Sequence, residues 1–187
     1  MALKATVRKV TLSVADIDRE YYADHCLTLA QHPSENDQRL MARLLAFALN
    51  ASDRLAFTRG LSSDDEPELW ERALTGDVRL WIELGLPVEE RLRRACNRAE
   101  RVRLYAYGDR TVPIWWQKHE GKLCQCSNLE VIQFPESGIQ ALSEMMARGM
   151  KLQCTVQEGE VGMGDGQSHV ALEPVWLQGP AGPDGAT

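Results

Sequence analysis

Long apolar runs are missing from this sequence. Nowhere do about 18 apolar residues follow one another, so no segment is suited to span a membrane. Residues 1–6, Met-Ala-Leu-Lys-Ala-Thr, carry no basic stretch leading into an apolar core, and no secretory signal is expected. Cysteines are few and odd in number: five, at positions 26, 96, 124, 126 and 154. Their irregular spacing gives no disulfide framework and reads as reduced, mostly buried thiols of a cytoplasmic protein. Cys124-Gln125-Cys126 lacks a second Cys or His pair for zinc; on a strand its two thiols would share one face. His25, His32, His119 and His169 keep no ligand spacing and read as structural. Positive charge is also short. The 21 Lys and Arg against 27 Asp and Glu leave a net charge of −6, which excludes the broad basic surface of a general nucleic-acid coat protein but allows a local basic groove.

What is present fits an ordinary globular protein. Apolar residues make up 44% and charged residues 26% of 187 positions, enough for a sizeable core in one domain over residues 1–177. Residues 178–187 are rich in Gly, Pro and Ala and are expected to form a disordered tail.

Hydrophobic periodicity orders the elements. Leu3, Ala5 and Val7 alternate, then Val10, Leu12 and Val14 alternate on the opposite parity, which implies a bulge at Arg8-Lys9. Cys26 to Ala30 reads as a strand paired back on residues 8–14. Ser34 reads as the N-cap of the clearest helix, with Leu40, Met41, Leu44, Leu45 and Ala48 as its stripe, ending near Asn50. Short strands follow at Leu55–Arg59 and Leu69-Trp70, then Val78–Leu84 after a turn at Thr75-Gly76-Asp77. Pro87 opens a helix reaching Arg101, and Val102–Tyr107 is the next strand, so Val78–Tyr107 forms a βαβ unit. A short helix at 113–116, a strand at Leu129–Phe134 and a helix at Ser137–Arg148 come next. A final hairpin pairs residues 152–156 with 170–172 across a Gly-rich turn, 159–166. The fold class is mixed α+β: a mixed sheet flanked by helices, with antiparallel strands added from the N- and C-terminal segments.

The chemistry concentrates where acids adjoin apolar strands. Asp65-Glu66-Pro67-Glu68-Leu69-Trp70 precedes Trp81-Ile82-Glu83-Leu84-Gly85, and carboxylates that close to a core need a partner. The helix after Glu83 carries Arg91, Arg94, Arg98 and Arg101 at spacings of one face, with Arg93 beside them. Carboxylates next to guanidiniums suit a site for a metal and a phosphate.

These motifs, in order with His-Pro-Ser-Glu at 32–35, Phe-Thr-Arg-Gly at 57–60 and Ile-Trp-Trp at 114–116, resemble the YaeQ family of small bacterial proteins. The resemblance covers the chain up to about Gln178 and implies a variant of the PD-(D/E)XK nuclease-like fold. In that superfamily a helix supplies a Glu, one strand an acid, and the next strand an acid followed two positions later by Lys. Glu35 matches the helix position and Glu83 the later strand. Asp65, Glu66, Glu68 and Asp77 compete for the earlier one, Asp65 being the first choice because it ends the acidic loop beside Pro67. Two positions after Glu83 stands Gly85, and the following helix offers only arginines, which cannot act as bases.

The expectation is a divalent-metal-dependent nuclease. Glu83 and Asp65, with Glu35, would hold Mg²⁺ or Mn²⁺. Arg93 or Arg94 would clamp the scissile phosphate, and Arg91, Arg94 and Arg98 would line the nucleic-acid groove. The alternative is a non-catalytic descendant that binds nucleic acid or a protein partner through that helix, as the missing Lys favours.

Overall fold

The computed structural model describes residues 5–59 and 65–180. The elements run β1 (Thr6–Asp16), β2 (Tyr21–Gln31), α1 (Asp37–Asn50), β3 (Leu55–Phe57), β4 (Leu69–Arg72), β5 (Val78–Leu84), α2 (Glu89–Arg98), β6 (Ala99–Tyr107), α3 (Thr111–Leu123), β7 (Leu129–Phe134), α4 (Glu136–Ser143), β8 (Gly149–Gln157), β9 (Glu160–Gly164), β10 (His169–Leu172) and β11 (Val175–Gln178). They form two mixed sheets, a five-stranded one in the order β10-β9-β8-β1-β2 and a six-stranded one in the order β11-β7-β6-β5-β4-β3. The first is antiparallel except for β1 against β8. The second has a parallel centre, β5-β6-β7, with antiparallel neighbours on both sides.

Periodicity explains the layers. In β8, Met150, Leu152, Cys154 and Val156 are buried while their neighbours are exposed, as expected of a sheet wet on one face. Every residue of α1 from Leu40 to Ala48 is buried, because the helix lies between the inner faces of both sheets. The opposite face of the six-stranded sheet is covered by α2 and α3, with Trp81, Leu92, Val102, Leu104 and Val131 in a second core. β5 is therefore shielded on both faces, with Leu80, Ile82 and Leu84 in the first core and Trp81 in the second.

The structure corrects the sequence reading at several points. β1 is one uninterrupted strand in continuous register with β2, from Thr6 against Gln31 to Asp16 against Tyr21, so no bulge interrupts Arg8-Lys9. Val7 is simply an apolar residue on a wet face. α1 is capped by Asn36, whose side chain accepts from the Arg39 N–H at 2.8 Å, and not by Ser34, whose own N–H is taken by His32 Nδ1. Glu35 thus precedes the helix. α2 ends at Arg98, and Ala99 already pairs with Val78 in the sheet. The Asn128 side-chain amide fixes that exit by donating to the carbonyls of Cys96 and Ala99. α3 runs 13 residues rather than a few, and α4 stops at Ser143.

Residues 160–164 of the Gly-rich segment form a strand, β9, that pairs with both β8 and β10, so 152–156 and 170–172 are not direct partners. The His169 ring of β10 lies across it, and a Cβ on Gly162 would stand 2.8 Å from His169 Cε1, so any side chain there has to displace the ring. Gln178 is also ordered. It ends β11, and its side-chain amide donates to the carbonyls of Leu123, Cys126 and Leu129. The rest of the expected tail, residues 181–187, lies outside the described residues. No described helix is long and apolar enough to cross a membrane.

Candidate functional site

At the C-terminal end of β5, where open α/β sheets form their ligand crevices, three buried carboxylates meet three guanidiniums. Strand alternation turns Glu83 to the same side as Trp81. The Trp81 Nε1–H donates to Glu83 Oε1 at 2.7 Å, and Arg91 Nε of α2 donates to the same oxygen at 2.9 Å. Arg91 Nη2 also donates to the Glu66 carbonyl at 2.7 Å, tying the acidic loop to α2. Glu68 stands immediately before β4, its N–H bonded to the Ile82 carbonyl, and its Oε1 accepts from Arg39 Nη2 of α1. Glu35, in the connection before α1, accepts from Arg43 Nη2 at 3.0 Å, and the same nitrogen donates to the Ala30 carbonyl. Glu35, Arg43, Glu68 and Glu83 are 6%, 4%, 3% and 3% exposed, so these charges are desolvated and depend on one another.

The electrostatics follow from burial. Desolvation pushes the Glu35 carboxyl above its ordinary pKa, opposed by Arg43 and reinforced by the charge of Glu68. Glu83 is raised by the same cause against its Trp81 and Arg91 hydrogen bonds, and Glu68 again adds to the rise. Burial works against the Arg39 charge, but Glu68, the Tyr107 hydroxyl and Glu35 outweigh it and hold that guanidinium above its usual value. Glu68 is thus the hub, coupled to both other carboxylates.

The predicted residues divide. Glu35 and Glu83 are in the cluster, and of the four candidates for the earlier acid the cluster contains Glu68. Asp65 is exposed, 4.0 Å from Arg98 Nη1, and Asp77 is exposed and accepts from the Thr75 hydroxyl. Pro67 and the β4 register turn Glu68, and not Asp65, toward α1. The arginine stripe splits as well. Arg91 turns inward to Glu83, Arg101 has moved onto β6, and Arg93, Arg94 and Arg98 remain exposed on α2. Arg93 stands 3.8 Å from Glu89, and Arg98 lies over the Trp81 ring at 5.8 Å. Arg39, Arg43 and Tyr107 escaped the sequence reading. A signal existed: Arg43 is the one charged residue in the apolar stretch 40–48. Cys126 faces Cys96, whose thiol burial and the neighbouring sulfur push up to about 12, and Cys124 and Cys126 lie at the end of α3 and in the turn after it instead of on a strand.

A divalent cation does not fit this cluster as it stands. Each carboxylate already holds a guanidinium, and among the described residues no three His, Cys, Asp or Glu side chains are grouped to hold a metal. Two carboxylate oxygens, Glu35 Oε1 and Glu68 Oε2, and two guanidinium nitrogens, Arg39 Nε and Arg43 Nε, are nevertheless buried without a hydrogen-bond partner.

Known proteins share this arrangement of elements. A family profile described as "YaeQ protein" matches residues 1–174. The uncharacterized protein YaeQ of Salmonella typhi is 46% identical over 179 residues, covering 95% of this chain and 99% of that protein. Its counterpart in Escherichia coli K12 is 45% identical over the same coverage. The crystal structure of a YaeQ protein from Xanthomonas axonopodis pv. citri superposes with a TM-score of 0.92 at 50% identity, covering 94% of this chain and 99% of that one. That from Pseudomonas syringae gives 0.85 at 36% identity, covering 95% and 98%.

Proposed function

This chain belongs to the YaeQ family, and from that premise we propose that it binds nucleic acid through the exposed arginines of α2 without hydrolysing it. The scaffold is nuclease-like in this reading. The observation that supports it is the closure of each carboxylate in the cluster by a guanidinium, with the Glu83–Arg91 pair lying behind a helix that presents Arg93, Arg94 and Arg98 outward. Guanidinium groups engage phosphate bidentately and stay protonated, so they bind a backbone and cannot abstract a proton from water. A net charge of −6 confines such binding to this face and makes it strongly salt-dependent.

Fluorescence anisotropy with labelled single- and double-stranded DNA and RNA in EDTA is the test. Binding without metal is expected, with each removed arginine lowering the salt slope by about one. Undiminished binding by the triple variant Arg93→Ala, Arg94→Ala, Arg98→Ala would sink the reading.

A second reading, a divalent-metal-dependent phosphodiesterase, is favoured by the two unpartnered carboxylate oxygens. Glu68 and Glu35 would then take Mg²⁺ or Mn²⁺ in place of a guanidinium, and Arg93 or Arg94 would meet the phosphate. Cleavage by the wild type that disappears in Glu68→Ala would establish it over the first.

A further inference from the structure

Gly85 stands where the nuclease pattern has Lys, and the space above it is filled. A Cβ built on Gly85 would stand 3.5 Å from Arg39 Nη1, while Nη2 of the same guanidinium bonds Glu68. Gly85 itself has φ +83°, a conformation that L side chains rarely adopt, so a side chain does not grow from this position without strain. A cation has nonetheless reached the place, from α1 instead of β5.

Its surroundings are those of a cation site. Glu68 carries one oxygen on Arg39 and another, Oε2, buried with no partner. Glu35 carries one on Arg43 and another, Oε1, in the same condition. Both residues are more than nine-tenths buried. Arg39 Nε and Arg43 Nε are buried without partners as well, so the guanidiniums do not saturate the carboxylates. An ionised carboxylate left half-satisfied in a core is costly, and hard divalent ions take carboxylate oxygens.

We propose that Arg39 is a resident plug, a guanidinium that occupies the place of a divalent cation on Glu68 and keeps the site shut. Arg43 is the deeper member and fixes Glu35 by also bonding the Ala30 carbonyl. Arg39 is the removable one: its side chain is 17% exposed against 4% for Arg43. The Tyr107 hydroxyl of β6 lies near enough to favour the Arg39 charge. This goes beyond the nucleic-acid reading and is independent of it, since the plug is on α1 and the binding face on α2.

The experiment is Mn²⁺ titration followed by electron paramagnetic resonance, with Tm recorded with and without the ion. The proteins are the full-length wild type, Arg39→Gln, Arg39→Lys and Arg39→Gln with Glu68→Gln. Wild type and Arg39→Lys should bind weakly. Arg39→Gln should bind roughly tenfold tighter or more, gain Tm with Mn²⁺, and lose both gains when Glu68→Gln is added. If Arg39→Gln folds only when Mn²⁺ is supplied, the ion has replaced the plug and the proposal stands. If it stays unfolded with Mn²⁺, or folds and binds no better than the wild type, the proposal is overturned. Tight binding by the wild type that requires Glu68 overturns it equally, because cation and guanidinium would then coexist. Loss of nucleic-acid binding by the α2 triple variant bears on none of these outcomes.

Discussion

The five-stranded and six-stranded sheets share α1 as their filling but differ in what lies behind them. The first turns its other face to water, and its strands carry one buried carboxylate, Asp16, at a strand end beside Arg19. The second has α2 and α3 behind it, and Glu68, Glu83 and Glu130 are buried at its strands, each on an arginine. A sheet covered on both sides has no solvent to receive a misplaced charge, so a carboxylate there persists only with a dedicated partner. The first sheet is held chiefly by apolar alternation, with a single buried pair at a strand end, and the second depends on matched charge at three strands.

That contrast is breakable, and the largest effect should come from Arg43→Met. It leaves Glu35 charged and unpaired in the core, and a loss of about 3–5 kcal/mol is expected by urea denaturation. Adding Glu35→Met should restore most of it, since replacing both members of a buried pair is often near neutral. Leu12→Ala, in the uncharged region, should cost about 3 kcal/mol by simple truncation of a fully buried side chain. No second substitution of a charged residue should rescue it. Gly162→Ala should cost about 1–2 kcal/mol through collision with the His169 ring, and His169→Ala should relieve it. Failure of that rescue would mean that the strand, and not the ring, resists the methyl.

The smallest expected effect is on pH dependence. Glu35 and Glu83 are raised in the folded state, so the native protein holds their protons after the unfolded chain has released them. Their contribution is therefore complete below the ordinary carboxylate range and is lost as pH rises from there through the raised values. Glu35→Gln should gain stability relative to the wild type across that window, measured as urea midpoints. Leu12→Ala should keep the wild-type slope, and an altered slope there would erase the distinction between the two regions.

How much was legible in the sequence follows the same division. The second half of β1, β8 and the parallel centre β5-α2-β6 could be read because periodicity and burial agree there, whereas the exposed Val7 misled the reading of the first half of β1. Glu83 stood out because it interrupts an apolar strand, and Glu35 because of the motif at 32–35. The choice among Asp65, Glu66, Glu68 and Asp77 depended on the register of β4, which short strands do not encode. β9 was hidden because its glycines answer to a ring on the next strand, a contact invisible along the chain. Arg39 was missed for a similar reason. Its partner lies 29 residues away, and nothing local distinguishes it from a solvated helix arginine.

The pairing of β1 with β8 has a consequence for how the chain is made. Lys9 lies beside Gly149 and Asp16 beside Val156, so β1, an interior strand of the five-stranded sheet, waits for a neighbour synthesised some 140 residues later. Loop closure over that separation is slow, and an N-terminal hairpin with an open edge is prone to pair elsewhere in the meantime. On the ribosome, β1 and β2 must therefore remain a provisional hairpin until most of the six-stranded sheet has emerged. The first segment translated is among the last to be locked in place.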